Sequence, residues 1–252
     1  METPSSDPYL PPEILDYIVD FLQDDTDALK QCCLVSKSWV PRARKHIFAV
    51  VMLQEEDVLK LWKETFPDPA SSPSYHTHIL GVGCDPGDME ESDWIQGFPR
   101  VEQLIVDCEY WTDFLSFQKL GPSLKSILMT FSYLPHSQIF DLIRSLPFLE
   151  GLALIGEVID TDESDGLPAS VVSSSPALTE TLYILVSEGI SRTLCDLLVL
   201  PGGLRFRELE LAWCHEPDLP HVTEMVDACS DTLKCLDIGY EIEGTLVPPF
   251  LV

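Results

Sequence analysis

The apolar positions of this chain follow two different rhythms. Near the start they recur at helical spacing: Ile14, Ile18 and Leu22 are four apart, with Leu15 and Phe21 beside them, which predicts an amphipathic helix. Pro11 and Pro12 suit its first turn, where a missing N–H costs nothing. Glu13 and Asp16 favour the positive end of its dipole. Gln23 to Asp27 contains three aspartates, which predicts a turn and a cap for a second helix. That helix carries Leu29, Cys32, Cys33, Val35 and Trp39, and Pro41 predicts its end or a kink. Two or three short helices in about 40 residues bury too little for a core of their own. They must pack on the rest of the chain or on a partner.

Beyond residue 45 the rhythm changes. His46 to Leu53 is rich in strand formers, Gln54 to Phe66 reads as a helix, and Pro67 to Ser74 is a breaker rich in Pro and Ser. From residue 75 onward a unit recurs: an apolar residue, two others, then apolar-x-apolar. Copies are Val101–Val106, Leu124–Met129, Leu149–Leu154, Phe206–Leu211 and Leu233–Ile238, with a looser copy at Leu178–Ile184 and a first one ending at Val82. The central residues 104, 127, 152, 182, 209 and 236 are spaced 23 to 30 apart. Helical stretches lie between some of these strands, at Ser137–Leu146, Ser191–Leu200 and Asp218–Ser230. Pro or Gly breakers precede the next strand at Gly121-Pro122, Leu146-Pro147, Ser175-Pro176 and Pro201-Gly202-Gly203.

That unit and its period resemble the leucine-rich repeat. The resemblance implies parallel strands stacked into a curved α/β solenoid whose neighbouring units share one core. The pattern is degenerate: of the turn positions where the family places Asn or Cys, only Cys214 fits. An irregular α/β domain with a parallel sheet is the competing reading. The expected fold is therefore α/β, a small N-terminal helical module followed by a leucine-rich-repeat-like domain. The divisions are a flexible leader at 1–8, the helical module at 9–50, a connecting helix and loop at 51–74, and the repeat domain at 75–252. The apolar end Val247–Val252 carries no polar cap, so the solenoid reading expects it to pair with something or to lack a terminal segment.

The helical module resembles the F-box, as found in many fungal proteins. Leu10, Pro11, Glu13, Ile14, Leu15, Ile18, Leu22, Leu29, Cys32, Leu34, Val35, Ser36 and Trp39 match the family pattern, and Arg42 to Phe48 is similar to the segment just after this module in fungal members. The resemblance implies docking onto a Skp-type adaptor and, through it, a cullin scaffold. It makes Leu10, Pro11, Ile14, Leu15, Ile18, Leu22, Leu29, Leu34, Val35 and Trp39 the adaptor-binding candidates. It also implies that the repeat domain holds a protein substrate on its strand face, where Glu102, Lys125, Glu150, Glu180, Arg207, Glu208, Glu210 and Asp237 interrupt apolar strand positions.

Charge narrows the partners. The formal net charge is −27, which disfavours nucleic acid and anionic membranes and favours basic partners. No apolar run is long enough to span a membrane, and the polar, acidic start lacks the marks of a secretory signal. The eight cysteines include no Cys-x-x-Cys pair, and Cys32, Cys195, Cys229 and Cys235 sit among apolar neighbours. They read as reduced core residues of a cytoplasmic or nuclear protein.

Catalytic constellations are lacking. His76 and His78 with Cys84 offer zinc-type atoms, but alternation on a strand explains the pair. The acidic clusters Asp85–Asp93 and Glu157–Asp165 lack the EF-hand spacing and read as solvated loops. No nucleophile elbow, phosphate loop or dinucleotide fingerprint occurs. The expectation is a non-enzymatic subunit without metal or cofactor: the substrate-recognition adaptor of a Skp–cullin–F-box ubiquitin ligase. The alternative is a repeat-type binding protein outside any ligase, with its N-terminal helices as a cap. A cap would turn the Leu10/Ile14/Ile18/Trp39 face inward, whereas a ligase subunit would leave it partly exposed.

Overall fold

Prolines and aspartates set the first helices. The computed structural model describes residues 11–68, 72–83, 94–108, 117, 119–120, 122–159, 178–186, 190–198, 200 and 204–240. Helix α1, Pro12–Phe21, begins on its proline with Glu13 in the first turn. Helix α2, Thr26–Val35, is capped by Asp25, whose side chain accepts a hydrogen bond from the Ala28 N–H at 2.9 Å. Helix α3, Val40–Ile47, has Pro41 in its first turn and Arg44, Lys45 and His46 in its last, a placement that complements the dipole.

The helix boundaries differ from those the sequence predicts. Trp39 is not part of α2, which ends at Val35; it stands at the N-cap of α3. Pro41 starts a helix instead of ending one, because its fixed φ suits the first turn and its missing N–H is not needed there. The strand expected from His46 is in turn shorter, β1 at Val50–Leu53, since α3 runs on through Ile47.

Helix α4, Glu56–Thr65, comes next, and a 3-10 turn spans Pro73–His76. The remaining strands are β2 Ile79–Val82, β3 Gln103–Cys108, β4 Ser126–Pro135, β5 Gly151–Ile159, β6 Thr181–Val186, β7 Glu208–Cys214 and β8 Cys235–Tyr240. Helix α5, His136–Ser145, leads into β5; α6, Ile190–Leu198, leads into β7; and α7, Leu219–Cys229, leads into β8. All eight strands form one sheet in the order β1 to β8, and every pairing is parallel. Strands that are neighbours in sequence are thus neighbours in the sheet throughout.

The recurring apolar unit is what aligns the strands. Val51, Leu80, Leu104, Ile127, Leu152, Leu182, Leu209 and Leu236 stand opposite one another across the sheet. Two residues on, Leu53, Val82, Val106, Met129, Leu154, Ile184, Leu211 and Ile238 do the same. In a strand, residues two apart share a face, and a slip by one would turn both rows outward. From Val51 to Leu209 the first row is buried, and against it lie Leu142, Ile143 and Leu146 near α5, Leu194 and Leu197 of α6, and Val222, Met225 and Cys229 of α7. Full burial of one such side chain contributes about 1.5–3 kcal/mol.

The leading helices are joined to this core by aromatic rings. Phe48, just after α3, meets Trp62 of α4 edge-on at 6.1 Å, and Trp62 stacks on Phe98 at 5.5 Å. Within the sheet Gly156 has φ +147°, and a Cβ there would lie 1.8 Å from the Phe131 carbonyl oxygen. Only glycine fits that approach of β5 to β4.

Cys32, Cys33, Cys195, Cys214, Cys229 and Cys235 are free thiols: Cys32, Cys214 and Cys229 are buried, Cys33 and Cys195 half-buried. Cys235 is exposed, contrary to its expected core role, because it lies in the row beside Leu236 that faces away from the helices. Leu10, the leader, Cys84, the acidic stretches Asp85–Asp93 and Asp160–Asp165, the breakers at Gly121, Ser175-Pro176 and Pro201–Gly203, and the apolar end Val247–Val252 lie outside the described residues. No helix among the described residues is long and apolar enough to cross a membrane.

Candidate functional site

Helix α1 is apolar on two sides. Leu15, Val19 and Leu22 form one stripe at i, i+4, i+7; Val19 is buried, and Leu15 and Leu22 are half-buried. Val19 joins Leu29, Cys32 and Ala43 in a small core of the helical module, separate from the main one, with Leu22, Cys33, Trp39 and Ile47 packed on it. Ile14, Tyr17, Ile18 and Phe21 form the other stripe at i, i+3, i+4, i+7, and all four are exposed, Phe21 by 81%. Leu34 and Val35, the last two residues of α2, are exposed by 80% and 69%.

The adaptor-binding candidates therefore divide. Pro11, Ile14, Ile18, Leu34 and Val35 are exposed, and Leu15 is half-exposed. Leu29 is completely buried and belongs to the module's own core, so it cannot touch a partner in this conformation. Leu22 and Trp39 pack on that core with part of their surface open. Leu10 lies outside the described residues. Sequence reasoning misses Tyr17 as a surface residue and places Phe21 on the same face as Leu22. The signal for both is the second stripe, since a 3.6-residue period admits two apolar faces when apolar residues are this dense.

A polar lock sets the orientation of α1. Asp20 accepts from Arg42 Nε at 2.6 Å and from a terminal guanidinium nitrogen, and His46 Nε2 lies 2.7 Å from the same carboxylate. These hydrogen bonds, Arg42 first and His46 second, hold the Asp20 carboxyl well below the usual carboxylate range, and the same contact raises the guanidinium of Arg42. The pair joins α1 to α3 across the module.

The second surface is the sheet. Glu102, Lys125, Glu150, Glu180 and Arg207 do not interrupt the strands as expected; each stands just before one. Each backbone N–H donates to the carbonyl of the preceding member: Glu102 to His78 at 2.9 Å, Lys125 to Glu102 at 2.8 Å, Glu150 to Lys125 at 2.6 Å, Glu180 to Glu150 at 2.9 Å and Arg207 to Glu180 at 2.8 Å. Lys234 continues the row at 2.7 Å. The backbone pairing sets a line of charged side chains along the leading edge of the sheet. Ion pairs link Lys125 to Glu102 at 3.3 Å and Arg207 to Glu180 at 3.0 Å. Glu150 has no cationic partner among the described residues.

Glu208, Glu210 and Asp237 are in strands, on the face away from the helices, and Glu210 stands opposite Asp237. Along that face the character changes. Ile105, Leu128, Ala153 and Tyr183 run across β3 to β6 in register, and Glu210 and Asp237 continue the row. Burial first and the charge of Glu210 second push the Tyr183 hydroxyl up. An open groove of about 500 Å³ lies over the β2–β6 part, lined by the charged Glu102, Lys125, Glu150 and Glu180 and by Ser126, Gly151, Ala153 and Tyr183 among others.

His76 closes the 3-10 turn and does not alternate with His78 along a strand; burial lowers its imidazole, with Arg100 the next cause. Among the described residues no group of three or more His, Cys, Asp or Glu side chains is placed to hold a metal ion. Cys214, the one residue that fits the repeat's turn position, is buried, with its Sγ 3.9 Å from the Leu211 carbonyl; burial and then Asp218 push its thiol up to about 11.

No protein-family model matches the chain, and no curated protein matches it.

Proposed function

We propose that the chain is the substrate-recognition subunit of a Skp–cullin–F-box ubiquitin ligase, with α1 and α2 docking on the Skp-type adaptor and the sheet holding a protein substrate. The observation that carries this reading is the exposed stripe Ile14, Tyr17, Ile18 and Phe21 on a helix whose opposite stripe already packs inside the module. A helix in such a small module gains nothing from a second apolar face in water, and four large apolar side chains exposed together suit a groove on another protein. A helical cap on the sheet would turn that stripe inward, so the exposure favours the ligase reading over the cap reading.

The sheet reads as a degenerate leucine-rich-repeat-like solenoid. Support comes from one apolar unit per strand, a continuous register, and strand order identical to chain order. Its open face combines small and apolar residues with uncompensated carboxylates at Glu150, Glu210 and Asp237. A basic segment with an apolar residue beside its cations suits that surface. The chain then contributes proximity and no bond-making residue: holding substrate beside a charged conjugating enzyme raises the effective concentration of the reacting groups.

Co-expression with a Skp-type adaptor tests the docking. Wild type is expected to co-elute with the adaptor on size exclusion, and Ile14→Asp/Ile18→Asp to elute alone while keeping its native circular dichroism. A folded wild type that elutes without the adaptor would end this reading.

A further inference from the structure

Helices α6 and α7 lie side by side on the helical layer of the sheet and bring a thiol and an imidazole together. Cys195 Sγ lies 3.2 Å from His221 Nδ1 and 4.0 Å from its Nε2, so the ring presents its Nδ1 edge to the sulfur. Both residues are half-buried and reach solvent. His221 is in the first turn of α7, where the positive end of the helix dipole favours an anion nearby. The other described thiols differ. Cys32, Cys214 and Cys229 are buried, burial raises the last two, and among the described residues no imidazole bonds to Cys33 or Cys235. A thiol beside an imidazole, open to solvent, is the arrangement that yields a nucleophilic thiolate.

We propose that Cys195 is a modification site: a thiol activated by His221 that captures soft carbon electrophiles. The proton of the thiol passes to His221 Nδ1, the sulfur attacks the electrophilic carbon, and a C–S bond forms. With a haloacetamide the carbon–halogen bond breaks and halide leaves with the bonding electrons, after which the imidazolium gives its proton to water; nothing is oxidised or reduced. Glu224, on the next turn of α7, has Oε2 3.9 Å from Nδ1. On the neighbouring 3-10 turn Asp218 is engaged by the His215 N–H at 2.8 Å. The negative charges of Glu224 and Asp218 oppose a thiolate, and the imidazolium is the group that offsets them.

Iodoacetamide labelling of the full chain, resolved by peptide mass mapping between about pH 5.5 and 9, tests this. Exposed Cys235, which no imidazole among the described residues bonds to, is the internal reference, because its own labelling rate is measured over the same pH range in the same sample. Cys195 is expected to keep a rate plateau below pH 8 and to exceed Cys235 by at least about tenfold at pH 6.5. His221→Gln is expected to abolish the plateau while leaving the Cys235 rate and the thermal midpoint unchanged. A Cys195 rate that follows the Cys235 slope, or a plateau that survives in H221Q, would overturn the proposal. Should H221Q fail to fold, the wild-type pH profile alone decides.

Discussion

Arg42 grips Asp20 with two nitrogens, Nε to Oδ1 at 2.6 Å and a terminal nitrogen to Oδ2, and His46 Nε2 reaches the same Oδ1 at 2.7 Å. The contact joins the first and third helices across the module whose outer stripe, Ile14, Tyr17, Ile18 and Phe21, is exposed. About a third of each side chain of the Arg–Asp pair is open to solvent, so the pair is worth about 1 kcal/mol or less. The folded-state pKa of Asp20 is depressed, so its stabilisation is fully present above the unfolded carboxylate value of about 3.9 and is lost as pH falls below it. Asp20→Asn should therefore lower the thermal midpoint at pH 7, and the difference from wild type should shrink below about pH 4. Melting curves of the two proteins over that pH range check the sign.

Two residues at the same sheet position should differ widely in cost. Leu209 and Leu236 stand opposite one another, yet Leu209 is 1% exposed and Leu236 44%. Leu209→Ala leaves a cavity and should cost about 2–5 kcal/mol. Leu236→Ala removes contacts from one side only and should cost less than about 1.5 kcal/mol. Urea denaturation of both variants reads the difference.

Gly156 is a fixed glycine. An alanine there meets both an unfavourable φ and the Phe131 carbonyl, so Gly156→Ala should destabilise by about 2–3 kcal/mol or more. Gly151 is the control, since its added Cβ would make ordinary contacts, at 3.4 Å from Ser126 Cβ. Gly151→Ala should stay within about 1 kcal/mol of wild type by the same measurement.

The charged row contributes little to stability. Lys125 and Glu102 are about half exposed, and such pairs are worth about 0–1 kcal/mol. Lys125→Ala should leave the urea midpoint nearly unchanged while making the sheet's leading edge more acidic. A large loss of stability would assign the row a structural role instead of a binding one.

Much of the sheet was legible in the sequence because one apolar unit recurs with each strand. The central residues at 104, 127, 152, 182, 209 and 236 all stand in one register row. The helix expected at Gln54–Phe66 is present at Glu56–Thr65, and those expected near 137–146, 191–200 and 218–230 are present within two residues. What periodicity could not place was anything decided by a neighbour. Cys235 follows the strand pattern but faces away from the helices. Trp39 continues an apolar rhythm that Ser36, in an extended conformation, has already broken. Phe21 and Leu22 are adjacent and both apolar, and only packing against Ala43 and Leu29 decides which stripe is inner. Glu102, Lys125, Glu150, Glu180 and Arg207 look like strand interruptions, because spacing does not reveal that each strand starts one residue later.

The exposed stripe on α1 is the centre of the functional account, and calorimetric titration of a purified Skp-type adaptor into the full chain tests it most directly. Wild type is expected to bind, and Phe21→Asp, which alters an exposed side chain and leaves the module core intact, to lose about a hundredfold or more in affinity, the ~2.7 kcal/mol expected of a buried aromatic anchor. Binding by Phe21→Asp equal to wild type, or no binding by a folded wild type, would contradict the account.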